Sequence, residues 1–148
     1  MDPTTYRVQL KIRRPPAEVF DAVVNPARIT GYFLGEASGP LAAGAEVSWK
    51  FPEFDFRMAV VVREVEQDRR IVLEWPAADG GGYNTTVEMV FVALEDGATM
   101  VQIVETGWRG GEASLPFTHG NAAGWMFFIS ALKAYLEYGV NLRAGGVR

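Results

Sequence analysis

From Tyr6 to Arg14 apolar and polar positions alternate strictly. Val8, Leu10 and Ile12 fall on one face, and Arg7, Gln9, Lys11 and Arg13 on the other. A period of two predicts a half-buried strand, whose basic outer face solvates the edge and discourages pairing with other strands. Pro15 and Pro16 stop it, and Pro16 suits the first turn of a short helix whose apolar side is Val19, Phe20 and Val23. Asn25-Pro26 ends that helix and opens another, with Asn25 as N-cap and Pro26 at the first helical position. The second helix is expected to carry Ile29, Tyr32 and Phe33 and to stop near Gly35. The period then returns to two. Val47, Trp49 and Phe51 alternate with Ser48 and Lys50; residues 54–66 are apolar on both faces in their middle; Ile71, Leu73 and Trp75 oppose Val72 and Glu74. Residues 83–108 read as two strands around Asp96-Gly97, a dipeptide that favours a two-residue type I′ turn. Segments 76–82 and 109–116 are loops by composition.

The last segment breaks the pattern. Trp125, Met126, Phe127, Phe128 and Ile129 are apolar in succession, more than one helical turn, and polar positions return only at Lys133 and Glu137. A helix is expected from about Thr118 to Asn141. Helical spacing places Trp125, Phe128, Ile129, Leu132, Tyr135 and Leu136 on one side, facing a sheet. That leaves Met126 and Phe127 for the short helices or another subunit to cover. Residues 143–148 read as a frayed tail. This order predicts an α+β fold: a curved antiparallel sheet of six to seven strands wrapped around a long C-terminal helix, with two short helices after the first strand.

The length of 148 residues suits a single domain spanning 1–148, with enough buried surface to need no metal or disulfide. There is no cysteine, which excludes disulfides and thiol chemistry and fits a reducing cytoplasm. The net charge of −4 argues against nucleic acid as a partner. The N-terminal residues show no signal peptide, and no apolar run approaches the ~20 residues of a membrane span. A cytoplasmic location is expected. Neither cofactor nor metal is expected: strand alternation splits the carboxylates of 53–55 and 64–68 between faces, and His119 stands alone as a surface residue at the helix start. The glycines at 80–82 precede no helix, so they form no phosphate loop. Asn84-Thr85-Thr86 matches a glycosylation pattern by chance.

Residues 11–33, 63–75, 97–108 and 124–137 together resemble the START-like (SRPBCC) superfamily, and within it the branch similar to the heat-shock-protein-90 ATPase activator homologue. The resemblance implies a helix-grip fold with a cavity between sheet and last helix. Members bind lipids, sterols, polyketides and other apolar molecules, some are cyclases or aromatases, and the eukaryotic namesake stimulates a chaperone ATPase. Gly31-Tyr32-Phe33 stands where the family leads one to expect a Trp-Phe pair, so Tyr32 would bring a hydroxyl to the cavity. The candidate cavity residues are Tyr32, Phe33, Trp49, Trp75, Trp125, Phe128, Ile129 and Leu132, joined by Glu88 and Glu105. A pocket of this kind is mostly apolar with a few polar anchors, and the same tryptophans equally suit core packing.

The two glutamates follow from the hairpin. A two-residue turn at Asp96-Gly97 sets Glu88 directly opposite Glu105, where like charges repel and, if buried, titrate as a coupled unit. Their face also carries Val90, Val92, Leu94, Val101 and Ile103; the other carries Val87, Met89, Phe91, Ala93, Met100 and Val104. Periodicity favours burying the second face, whereas the family pattern points Val101 and Ile103 inward. Facing in, the pair would polarise one end of the cavity, answered by Arg57 or Arg63, and could orient a ligand or act as acid and base. At a wet rim it would only solubilise the sheet. Either facing leaves apolar residues outside, an association surface suited to a homodimer. Three functions follow in order: binding of an apolar or amphipathic small molecule, a cyclase- or aromatase-type enzyme using Glu88 and Glu105, and a chaperone-cofactor-like interaction module.

Overall fold

The computed structural model describes residues 2–147. Seven strands form one antiparallel sheet: β1 (Tyr6–Ile12), β2 (Glu36–Ala37), β3 (Glu46–Lys50), β4 (Met58–Glu66), β5 (Arg70–Pro76), β6 (Asn84–Ala93) and β7 (Thr99–Thr106), in the spatial order β1-β7-β6-β5-β4-β3-β2. Two short helices, α1 (Pro16–Val24) and α2 (Pro26–Ile29), follow β1, and a long helix, α3 (Leu115–Tyr138), follows a single 3-10 turn at Gly111–Ser114. The expected α+β helix-grip architecture is present. Val19, Phe20, Ala22 and Val23 of α1 are buried. Asn25 caps α2 as expected, its side chain accepting from the Ala27 amide at 3.0 Å. That helix is shorter than the sequence suggests: Tyr32 and Phe33 lie in the turn after it.

The core is the space between the sheet's concave face and α3. Ile71, Leu73, Val87, Met89, Val101 and Ile103 from the sheet meet Trp125, Phe128, Ile129 and Leu132 from the helix, all essentially without solvent contact. β4 reads as apolar on both faces in its middle because Ala59 and Val61 lie on the outer face beside the buried Val60 and Val62, and the strand carries a bulge just beyond. Its register against β5 shifts between Val62 and Glu64, so Val65, not Glu64, packs against the core beyond it. An inserted residue resets a strand's inside–outside phase in this way.

The β6–β7 hairpin corrects the sequence reading. Ala93 pairs with Thr99, and the amide of Leu94 donates to the Ala98 carbonyl at 2.9 Å, so three residues, Glu95, Asp96 and Gly97, form the loop. Gly97 has φ 82°, the left-handed residue that follows a type I turn in such loops. One extra loop residue slips the register by one and turns one strand over relative to the other. Glu105 therefore lies opposite Val87, and Glu88 opposite Val104. The two carboxylates point to opposite faces.

α3 starts three residues before the expected Thr118 and ends at Gly139, whose φ of 66° stops the helix. Near its end Glu137 fastens it to β1. Its carboxylate accepts from the Arg13 amide at 2.9 Å, from Arg13 Nε at 2.5 Å and from Lys133 Nζ at 2.6 Å, while Lys133 also donates to the Lys11 carbonyl at 2.7 Å. At the start of the segment beyond, Arg143 donates to both carboxylate oxygens of Glu53. Arg148, the last residue of the expected tail, lies outside the described residues.

Candidate ligand cavity

A cavity of about 660 Å³ opens at one end of the sheet–helix sandwich. One wall is the start of α3, where Gly120, Ala123, Gly124 and Phe127 recur at helical spacing and so share a face. Trp75 of β5, Trp125 of α3, and Phe33 form the floor, and Phe51, Phe54 and Glu53 of the β3–β4 connection the far side. Leu142, Arg143, Gly146 and Val147 of the tail close the rim. The floor is a continuous aromatic stack: Trp75 and Trp125 have ring centres 4.9 Å apart, Trp125 and Phe33 lie stacked at 6.4 Å, and Phe33 meets Phe128 edge-on at 4.7 Å. The Trp125 indole N–H is shielded and makes no hydrogen bond among the described residues.

Of the residues nominated from sequence, Phe33, Trp75 and Trp125 line this space. Trp49, Phe128, Ile129 and Leu132 are buried in the core and do not line it. Tyr32 corrects the expectation placed on it. It is fully buried, and its hydroxyl donates to the Ala22 carbonyl at 2.9 Å, which ties the turn after α2 to α1. Glu88 is on the outer face, where Arg70 Nε donates to it at 2.6 Å. Arg57 and Arg63 answer neither glutamate of the pair; they bond Glu36 at 2.7 Å and Glu74 at 2.7 Å. Both extend from the outer, solvated side of the sheet.

Glu105 is inward and 0% exposed, below the cavity floor. It is held by four neutral side chains. Trp75 Nε1 donates to Oε2 at 2.9 Å, Thr85 Oγ1 to Oε2 at 2.5 Å, Asn121 Nδ2 to Oε1 at 3.1 Å, and the Tyr6 hydroxyl to Oε1. The sheet register assembles this cluster: Tyr6 is directly opposite Glu105 on β1, Val87 opposite it on β6, and Thr85 pairs with Trp75. Burial, and then the Glu105 charge, push the Tyr6 phenol well above its ordinary range, so it stays a donor. A buried carboxyl group needs its oxygens' lone pairs filled, and here each oxygen accepts at least two hydrogen bonds. Two of the donors, Trp75 and Asn121, line the cavity, so Glu105 fixes the orientation of cavity wall groups. Sequence reasoning missed Tyr6, Thr85 and Asn121. Tyr6 continues the even-numbered face of Val8, Leu10 and Ile12, a signal available in the pattern; Asn121 becomes a partner only through the docking of α3.

Residues 13–137 match the family model described as activator of Hsp90 ATPase homolog 1-like protein. The chain belongs to this family. Among solved structures, SSP2350 from Staphylococcus saprophyticus is 26% identical, with a TM-score of 0.80 over 95% of this chain and 96% of its own. DynU16, a protein of the dynemicin biosynthetic locus, is 28% identical with a TM-score of 0.77; the match covers 92% of this chain and 48% of DynU16. The Aha1 dimer from Colwellia psychrerythraea shares the fold at 16% identity and a TM-score of 0.76, over 91% of this chain and 97% of that one. No curated protein matches. Like its fold relatives, this family member has a long final helix gripped by the sheet, and no helix among the described residues is long and apolar enough to cross a membrane.

Proposed function

We propose that this domain binds an apolar or amphipathic small molecule in the cavity between the start of α3 and the Trp75–Trp125–Phe33 floor. The observation that carries the reading is the helix face. Gly120 and Gly124 stand in helix interior, where glycine costs roughly 0.5–1 kcal/mol relative to alanine, and a Cβ on either would meet nothing within 4 Å. The helix gives up stability there and gains only room. The room has the size and the apolar, aromatic lining of a small-molecule site. Glu105 is given a positioning role, because both its oxygens are taken by donors that hold the wall in place.

The test is native mass spectrometry of gently purified protein, followed by titration with 1-decanol, read by tryptophan fluorescence. Wild type should carry a releasable mass or bind decanol saturably. Gly124→Leu should keep its melting temperature and lose about tenfold or more in affinity, since the added side chain occupies the guest's volume. Absence of both a retained mass and saturable binding, or equal binding by the Gly124→Leu variant, would sink the proposal.

A further inference from the structure

The rim of the cavity already holds a cation. The Arg143 guanidinium carbon lies 5.2 Å from the Phe33 ring centre, 5.1 Å from Phe51 and 5.6 Å from Phe127. Its Nε and Nη2 donate to the two oxygens of Glu53 at 2.9 and 2.6 Å. The Arg143 side chain is only 11% exposed. Cations are drawn to the faces of aromatic rings, and a structure shows one strong instance per roughly 70–80 residues. Here three rings, from the turn after α2, the β3–β4 connection and α3, converge on one guanidinium with a carboxylate on its remaining side. That is the composition of a recognition box for a cation.

The occupant arrives on a segment that is neither helix nor strand. Gly145 and Gly146 there have φ of 87° and 99°. Leu142 and Val147, its apolar residues at the rim, stay more than a third exposed, so Arg143 is the segment's main anchor. Arg143 also separates two spaces. Phe33, Glu53, Arg143 and Gly146 line both the main cavity and a neighbouring cleft of about 430 Å³ under Thr30 and Leu34.

We propose that Phe33, Phe51, Phe127 and Glu53 form the head-group site of the cavity, selective for a guanidinium or alkylammonium carried on an apolar body, and that Arg143 is an internal ligand which such a molecule displaces. This rests on the cavity being a ligand site. The exchange replaces like with like: the same carboxylate and the same ring faces meet the incoming cation. An anion drawn to Arg143 would instead have to compete with the Glu53 carboxylate for the guanidinium and sit beside the negative ring faces.

Three probes with one tail decide it: decylguanidinium, decanoate and 1-decanol, titrated by calorimetry below their aggregation limits into wild type, Arg143→Ala and Glu53→Gln. Emptying the box with Arg143→Ala should tighten decylguanidinium about tenfold and leave decanol within about twofold; Glu53→Gln should weaken decylguanidinium about tenfold. Thermal melts confirm that both variants fold, and Phe127→Leu, which removes one ring and keeps an apolar wall, should weaken only the cation. Decanoate binding tightest, or Arg143→Ala shifting all three probes equally, overturns the cation site while leaving the cavity reading intact. If decanol and both charged probes fail to bind any variant, the cavity reading falls and the head-group site with it.

Discussion

Glu105 shows what one buried carboxylate demands of its neighbours. Without an acceptor, the Trp75 indole and the Thr85 hydroxyl would be buried without this partner, and the half-buried Tyr6 and Asn121 would lose theirs. Glu105→Ala should therefore cost at least about 3 kcal/mol in urea unfolding, the sum of two or three unsatisfied buried groups, and Glu105→Gln about 1–2 kcal/mol, since the amide keeps one acceptor oxygen. Equal and small losses for both would mean that water fills the site and the cluster is not structural. Periodicity in the hairpin favours the opposite face for this residue, and only the family resemblance, which points Val101 and Ile103 inward, gives its facing. The sequence does not show the facing of Glu88, because that depends on a single residue of loop length, and Asp96-Gly97 suits both the two-residue and the three-residue hairpin.

At the scale of elements, connections decide what periodicity leaves open. β1, β5 and the sheet-facing side of α3 are legible because a strict alternation or a helical stripe meets one buried surface. β4 is less so, since Ala59 and Val61 put apolar side chains on its outer face and a bulge after Val62 switches the phase so that Val65 packs against the core. The junction of α3 with β1 has its own signature in acid. The Glu137 side chain is 1% exposed; burial alone would raise its carboxyl, but the Arg13 amide, the Lys133 ammonium and the Arg13 guanidinium bring it down to about 2 from the ordinary 4.5. A carboxyl depressed in the folded state stabilises above its unfolded value. That stability is complete above about pH 4.5 and is lost as pH falls towards about 2. Arg13 is 62% exposed, so solvent screens the pair and the amount is on the order of 1–2 kcal/mol. Urea midpoints followed down through that window should fall more steeply for wild type than for Glu137→Gln; parallel curves would show that the junction does not titrate with folding.

For the whole molecule, the sandwich of sheet and gripped helix is written in element order and apolar pattern, and the cavity is not. A cavity is a deficit, and sequence patterns report what is buried, not what is missing. The signs are present only as Gly120 and Gly124 within a helical stretch, and as aromatic residues from distant segments, Phe33, Phe51 and Phe127, which meet only in the fold. Gly120→Ala should raise the melting temperature by a few degrees, about 0.5–1 kcal/mol, because the new methyl group meets no neighbour. A fall would mean that the helix needs the glycine for its own geometry.

The row Gly120, Ala123, Gly124 and Phe127 carries a consequence for how such a domain diversifies. These four positions line the hollow, Trp125 both lines it and packs in the core, and Phe128, Ile129 and Leu132 on the same helix are buried in the core. The dimensions of the hollow are thus set on one side of α3 and the packing of the fold largely on the other. Exchanges along the first row can widen, narrow or reshape the hollow without disturbing the sheet, so its contour and the architecture that carries it can vary independently.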